Sequence, residues 1–173
     1  MSREIKKPEN FEDMLHLQAI LDKNINSIRF RTLRDIGLSM VAEIIEFNEE
    51  SKYSHKTWKT KEYNREKELE ELTDIYFFLA QMVNFKMEHN DNYTECKDII
   101  SVIFENKPVF DENNDDNGFV DLLIFHSIQG QGIAIVRELI KITYYYGYTK
   151  DDILNSYWEK WQKNMSRIGK EWN

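Results

Sequence analysis

Two short acidic motifs are the residues of this chain whose spacing can do chemistry: Glu43 with Glu46, and Glu71 with Asp74. Side chains three residues apart on a helix share one face, about a turn apart. Both pairs border apolar positions, Ile44 and Phe47 in the first case and Leu72 and Ile75 in the second. The pattern therefore puts four carboxylates at the edge of a core, where packed antiparallel helices would turn them toward each other. Two like charges ~4 Å apart cost roughly 4 kcal/mol at an intermediate effective dielectric. Protonation or an ion-pair network can relieve that cost, but clustered carboxylates are natural ligands of hard divalent cations. Mg²⁺ keeps several waters and usually shares its shell with substrate phosphates, so such a site implies a phosphorylated ligand. The plain alternative is a solvated acidic face, which is what one ExxE on a Glu-rich helix would mean.

Between the acidic pairs lies Lys52-Tyr53-Ser54-His55-Lys56-Thr57-Trp58-Lys59-Thr60-Lys61. Lysines give point-charge contacts to phosphate, and an indole can pack on a nucleobase. The segment offers the cationic side of a nucleotide site that acidic helices cannot. Read alone, it is a solvated loop whose Trp58 plugs the end of a bundle.

The elements that position these residues are helices. Apolar residues from about Phe11 to Phe30 (Met14, Leu15, Leu17, Leu21, Ile25 and Ile28) recur at mostly helical spacing. A second helix is expected over 33–50, with Leu33, Ile36, Met40, Ile44 and Phe47 as its stripe, and a third over 64–88, with Leu72, Ile75, Leu79 and Val83. A polar turn over 89–95 leads to a short amphipathic helix through Ile99, Ile100, Val102 and Ile103. The run Asp111 to Gly118 reads as a solvated acidic connector. Phe119 to Tyr146 reads as a long apolar helix with a possible interruption at Gly130 and Gly132. Thr149 followed by Asp151 and Asp152 is an N-cap and acidic first turn for a last helix ending near Arg167. The expectation is an all-α bundle of five or six helices in one domain over residues 1–173.

Composition narrows the class. With 173 residues, 41% of them hydrophobic, the chain can bury one core. Only 6 Gly and 2 Pro are present, too few for the regular turns of a sheet-rich fold. A formal charge of −8 disfavours nucleic-acid binding. The lone Cys96 suits a reducing compartment and reads as an inert, half-buried side chain. No apolar run approaches the ~20 residues of a membrane span, and the first eight residues lack the apolar core of a signal peptide. The expectation is a soluble, cytoplasmic protein with no membrane partner. His16, His55, His89 and His126 share no metal-ligand spacing, and Tyr144, Tyr145 and Tyr146 read as packing.

The order ExxE (Glu43, Glu46), a basic Trp58-Lys59 segment, then ExxD (Glu71, Asp74) resembles the all-α nucleoside-triphosphate pyrophosphatases, which include MazG-type proteins and dimeric dUTPases. Asp74-Ile75-Tyr76-Phe77-Phe78 is similar to the dUTPase branch, which often carries a His-Phe pair at the last two positions; here Phe77 takes the His position. His16-Leu17-Gln18-Ala19-Ile20-Leu21-Asp22 is similar to that branch's first motif, whose Gln helps hold uracil, and Lys160, Asn164 and Arg167 have the spacing of its closing Lys/Asn/Arg motif. Residues 86–148 carry little of the likeness. The resemblance implies hydrolysis of dUTP to dUMP and pyrophosphate by a helical homodimer. It implies two or three Mg²⁺ ions held by Glu43, Glu46, Glu71 and Asp74, with Glu46 orienting or deprotonating the attacking water. By the same token Lys56, Lys59, Lys160 and Arg167 would bind phosphate, with Gln18, Trp58, Phe78 and Asn164 near the base and sugar. Two rivals stay open: the same metal core acting on dCTP or a broad range of nucleotides, and a helical protein-interaction module without catalysis.

Overall fold

The computed structural model describes residues 4–105, 107–108 and 120–170. Each helix begins where a polar side chain can satisfy backbone N–H groups that the first turn leaves open. Helix α1, Phe11–Asn24, starts at Asn10, whose side chain accepts from the Asp13 N–H at 2.9 Å. Helix α2, Leu33–Glu50, starts at a reciprocal capping box of Thr32 and Asp35, and Arg29 grips the same Asp35 with two hydrogen bonds at 2.6 and 2.7 Å. Helix α3, Arg65–Glu88, is capped by Asn64. Helices α4, Tyr93–Val102, α5, Asp121–Gln129, and α6, Gly132–Tyr145, follow. A second capping box, Thr149 with Asp152, opens α7, Lys150–Ser166. The described residues thus hold seven helices and no strand, an all-α fold with more helices than the five or six expected.

One boundary differs from the expectation. The first helix stops at Asn24 rather than running to Phe30. The Asn24 side chain turns back to the Ile20 carbonyl at 2.8 Å and Ile25 is extended, so Ile28 and Phe30 lie fully exposed. The late apolar stretch is interrupted where expected, into Asp121–Gln129 and Gly132–Tyr145, because Gly130 takes φ +65°, a left-handed conformation suited to glycine. Lys86 holds that break from below: its buried ammonium donates to the Gly130 carbonyl at 2.6 Å and to Glu95 at 2.9 Å. The acidic connector 111–118 lies outside the described residues.

Helix α3 is the hub, packed on α1, α2, α4, α6 and α7. Its expected stripe of Leu72, Ile75, Leu79 and Val83 is fully buried, as are Ile36, Met40, Ile44 and Phe47 of α2. Helix α2 also packs on α5. At that crossing Gly37 allows backbones to touch, since a Cβ there would lie 2.8 Å from the Ser127 carbonyl oxygen. Tyr145 and Tyr146 pack against the ring of Tyr53, and so fix the loop after α2.

Candidate active site

The packing of α3 between α1, α2 and α7 leaves a cavity of about 640 Å³. Glu43 and Glu46 enter it from α2, and Glu71 and Asp74 from α3. Carboxylate oxygens of Glu43, Glu46 and Glu71 come within 4.8 Å of one another. Glu71 is buried, Glu43 half-buried and Glu46 exposed, so the cluster runs from the core edge to the cavity mouth. Burial pushes the Glu43 carboxyl up to about 7, with the charges of Asp74, Glu46 and Glu71 adding and Lys160 opposing.

Asp74, outside that triad, is paired with Lys160 of α7. The Lys160 ammonium donates to an Asp74 carboxylate oxygen and to the Glu70 carbonyl at 3.1 Å. Burial nevertheless pushes Asp74 up to about 6; Lys160 pulls it down, and Glu71 and Glu70 add to the rise. On α3 itself Lys67 lies one turn before Glu71 and reaches its carboxylate at 2.5 Å. Two ammonium groups therefore offset the crowded acids, and both line the cavity. Asn164 and Arg167 line it too, four and seven residues beyond Lys160 and hence on the same face of α7.

The other end of the cavity is built by α1 and the later turns of α3. Gln18 is buried; its Oε1 accepts from the Tyr157 hydroxyl at 2.9 Å, and its Nε2 donates to Asp22 Oδ1 at 3.0 Å. Gln81 Nε2 donates to the same Oδ1 at 2.8 Å, and Arg31 forms an ion pair with it at 3.7 Å. Burial raises the Asp22 carboxyl above its ordinary range, while both amides and Arg31 pull it back. Phe78 lines the cavity half-buried, and Phe77 stacks on Tyr157 with ring centres 4.1 Å apart.

Nine of the residues expected from sequence thus share one cavity: Gln18, Glu43, Glu46, Glu71, Asp74, Phe78, Lys160, Asn164 and Arg167. Lys56, Trp58 and Lys59 do not line it. Their loop is drawn to the acidic end of α2, where Lys56 pairs with Glu49 at 2.8 Å, and Lys59 binds the Glu49 carbonyl and pairs with Glu50 at 3.5 Å. Trp58 is 73% exposed, so it plugs no bundle end either. Sequence reasoning assigned no role to Asp22, Lys67 or Gln81, all of which line the cavity. Each had a signal in its spacing: Asp22 lies one turn after Gln18, Lys67 one turn before Glu71, and Gln81 two turns after Asp74. Arg31, in the irregular segment before α2, had none.

The cluster offers only oxygen ligands, some of them poised near neutrality, beside lysines and an arginine: a site for hard cations and phosphate rather than for a thiolate metal. A family model described as dUTPase matches residues 10–172. No curated protein matches the chain. The match spans nearly all of it and agrees with the all-helical fold, so the chain belongs to the all-α dUTPase family and is a dUTP diphosphatase, a hydrolase acting on the phosphoanhydride bonds of dUTP.

Proposed function

We propose that the chain releases dUMP and pyrophosphate from dUTP as a Mg²⁺-dependent homodimer in the cytoplasm, through the cavity between α1, α2, α3 and α7. The observation that carries this reading is the convergence of Glu43, Glu46 and Glu71 from two helices within 4.8 Å. Such a set fits Mg²⁺ by donor type, and a divalent cation would remove the repulsion that pushes Glu43 up to about 7. Glu43, Glu46, Glu71 and Asp74 would hold two or three ions. Bound Mg²⁺ would neutralise phosphate charge and make a coordinated water more acidic.

The chain's own side chains do the rest. Lys160 and Arg167, joined by Lys67, bind phosphate oxygens, each from a position lining the cavity. Glu46, the most exposed of the three clustered carboxylates, orients the attacking water and takes its proton. Phe78 packs on the base, Gln18 bonds its edge, and Asn164 meets the sugar. A second copy covers the apolar side chains that α2 and α5 leave exposed side by side, Leu38 and Ile45 with Leu122, Phe125 and Ile128. No helix among the described residues is long and apolar enough to cross a membrane. The buried free thiol of Cys96 suits the reducing compartment in which deoxynucleotides are made.

The test is pyrophosphate release from dUTP, dCTP, dTTP and dATP, with Mg²⁺ and with a chelator. Release from dUTP that requires Mg²⁺ and exceeds that from dCTP is the expected result. Equal turnover in the chelator would remove the metal from the reading, and equal turnover of dCTP would remove its base specificity.

A further inference from the structure

Glu68 continues the three-residue spacing of Glu71 and Asp74 back toward the start of α3, yet it does not line the cavity. It is wholly buried, and its carboxyl group meets three separate parts of the chain. Oε2 accepts from the backbone N–H of Lys52 at 3.1 Å. Oε1 accepts from the Tyr63 hydroxyl at 2.8 Å and from the Tyr148 hydroxyl at 2.7 Å. Each partner leads to an element of the site. Lys52 lies two residues beyond α2, Tyr148 two residues before α7, and Tyr63 ends the loop that joins α2 to α3. Arg65 reinforces the α7 side, its guanidinium 4.4 Å from the Tyr148 ring centre and 3.2 Å from the Gly147 carbonyl oxygen.

The helices joined here are the ones with reason to separate. Glu43 and Glu46 on α2 meet Glu71 on α3 within 4.8 Å, so without a cation their repulsion works to open the α2–α3 seam. The Lys52 tie closes that seam just past the cluster, one turn of α3 before Glu71. Along the α3–α7 seam the polar contacts run Tyr148 to Glu68, Ser156 to Thr73 at 2.8 Å, and Lys160 to Asp74. On the proposed function Lys160 leaves Asp74 for phosphate. The Tyr148 tie then keeps the start of α7 in place while its other end answers the ligand.

This reading rests on the proposed roles of the carboxylates and of Lys160, and goes on to what holds them in register. We propose that Glu68 is a positioning residue: its one buried carboxyl group pins the end of α2 and the start of α7 to α3, and so sets the distances at which the carboxylates share a cation and Lys160 meets phosphate. Mg²⁺ demands near-ideal ligand geometry, and a displacement of about 1 Å at a reacting centre can cost on the order of 100-fold in rate. A carboxamide can keep all three ties. Its oxygen accepts from Lys52 and its NH₂ donates to both phenol oxygens, while the Tyr148 hydrogen passes to the Arg65 carbonyl at 3.0 Å. A thioether of similar length keeps none.

The test compares the full-length protein with Glu68→Met, Glu68→Gln and Tyr148→Phe. It uses calorimetric titration of Mg²⁺ without nucleotide, steady-state kinetics on dUTP, and thermal melting. Glu68→Met can fold without the ties, because Lys52 and Tyr63 are exposed enough to turn to water and Tyr148 keeps the Arg65 carbonyl. Well below its melting temperature it should lose at least about tenfold in Mg²⁺ affinity and in kcat/KM, and Glu68→Gln should stay within about threefold of the parent in both. Tyr148→Phe removes only the α7 tie, so it should raise KM for dUTP about three- to tenfold and leave Mg²⁺ affinity within about threefold. A folded Glu68→Met with parental Mg²⁺ affinity and turnover would overturn the inference. So would a Glu68→Gln as impaired as Glu68→Met, since the carboxamide keeps the ties. Should Glu68→Met not fold, a parental KM in Tyr148→Phe would overturn it. A parent that binds no Mg²⁺ would instead overturn the proposed metal site, and the kinetic arm would still decide the part played by Glu68.

Discussion

Replacing Glu43 by Gln should make the metal-free protein more stable while destroying its response to Mg²⁺. The Glu43 carboxyl is pushed from its ordinary 4.5 up to about 7, first by burial and then by Asp74, Glu46 and Glu71. At about 1.4 kcal/mol per tenfold change in proton affinity, that is on the order of 3 kcal/mol against the ionised form. The side chain is only half-buried, so solvent screening reduces the figure to roughly 1–2 kcal/mol. For a chain of this length each kcal/mol moves Tm by roughly 2–4 °C. Glu43→Gln should therefore melt about 3–6 °C above the parent in chelator at pH 8.5, by scanning calorimetry. The sign follows from linkage: the folded-state value lies above the unfolded one, so the penalty is complete above pH 7 and fades as the pH falls through it. At pH 5.5, between the two values, about half of the gap should remain, and it should close only below about pH 4.5, where Glu43 is neutral both folded and unfolded. Adding Mg²⁺ at pH 8.5 should raise the parent's Tm and leave the variant's almost unchanged. A gap of the same size at both pH values, or none at pH 8.5, would refute the claim that crowded, buried charge strains this site.

Lys160→Met keeps most of the side-chain volume but removes the cation from Asp74. It should lower kcat/KM for dUTP by about 10- to 100-fold, a loss of ~1.4–2.8 kcal/mol in transition-state stabilisation, measured by pyrophosphate release. Lys56→Ala and Trp58→Ala alter side chains that lie off the cavity, so kcat/KM should stay within about threefold of the parent. A loss of tenfold or more in either would mean that the loop reaches an active site, its own or a partner's. Gly37→Ala puts a methyl 2.8 Å from the Ser127 carbonyl oxygen, with backbone on both sides. It should cost about 1–3 kcal/mol in chemical denaturation, as overpacking does.

The legible parts of this chain are those where one local rule sufficed. Helix α2 was expected over 33–50 and is Leu33–Glu50, because Thr32 and Asp35 mark its start and its stripe never breaks. The capping box at Thr149 likewise marks the start of α7. Ends were harder: the apolar spacing of Ile25 and Ile28 continued past α1, and only the side-chain bond from Asn24 to Ile20 shows why the helix had stopped. The same contrast runs through the site. Carboxylates three apart announced themselves, since spacing alone puts them on one face. Where the basic loop would go depended on a competition that spacing cannot express. Its lysines had two acidic targets, and Glu49 and Glu50 at the end of α2 lie nearest in sequence. The cations that reach the cluster, Lys67 and Lys160, are instead fixed by helices, one by a single turn of α3 and the other by the packing of α7 on α3.

That placement gives the lysines a double use. In the resting protein Lys160 and Lys67 are held by Asp74 and Glu71 and soften their mutual repulsion. On the proposed function an incoming triphosphate would compete for the same ammonium groups, and it carries more charge than either carboxylate. Moving Lys160 from Asp74 to phosphate would free a half-buried acid that is then costly to leave ionised and alone, given that desolvation already pushes it up to about 6. The move is favourable only if another positive charge arrives at the carboxylates at the same time. Phosphate and divalent cation should therefore bind this cavity with positive coupling, each weak alone, and the coupling lies in the choice that Lys160 has to make.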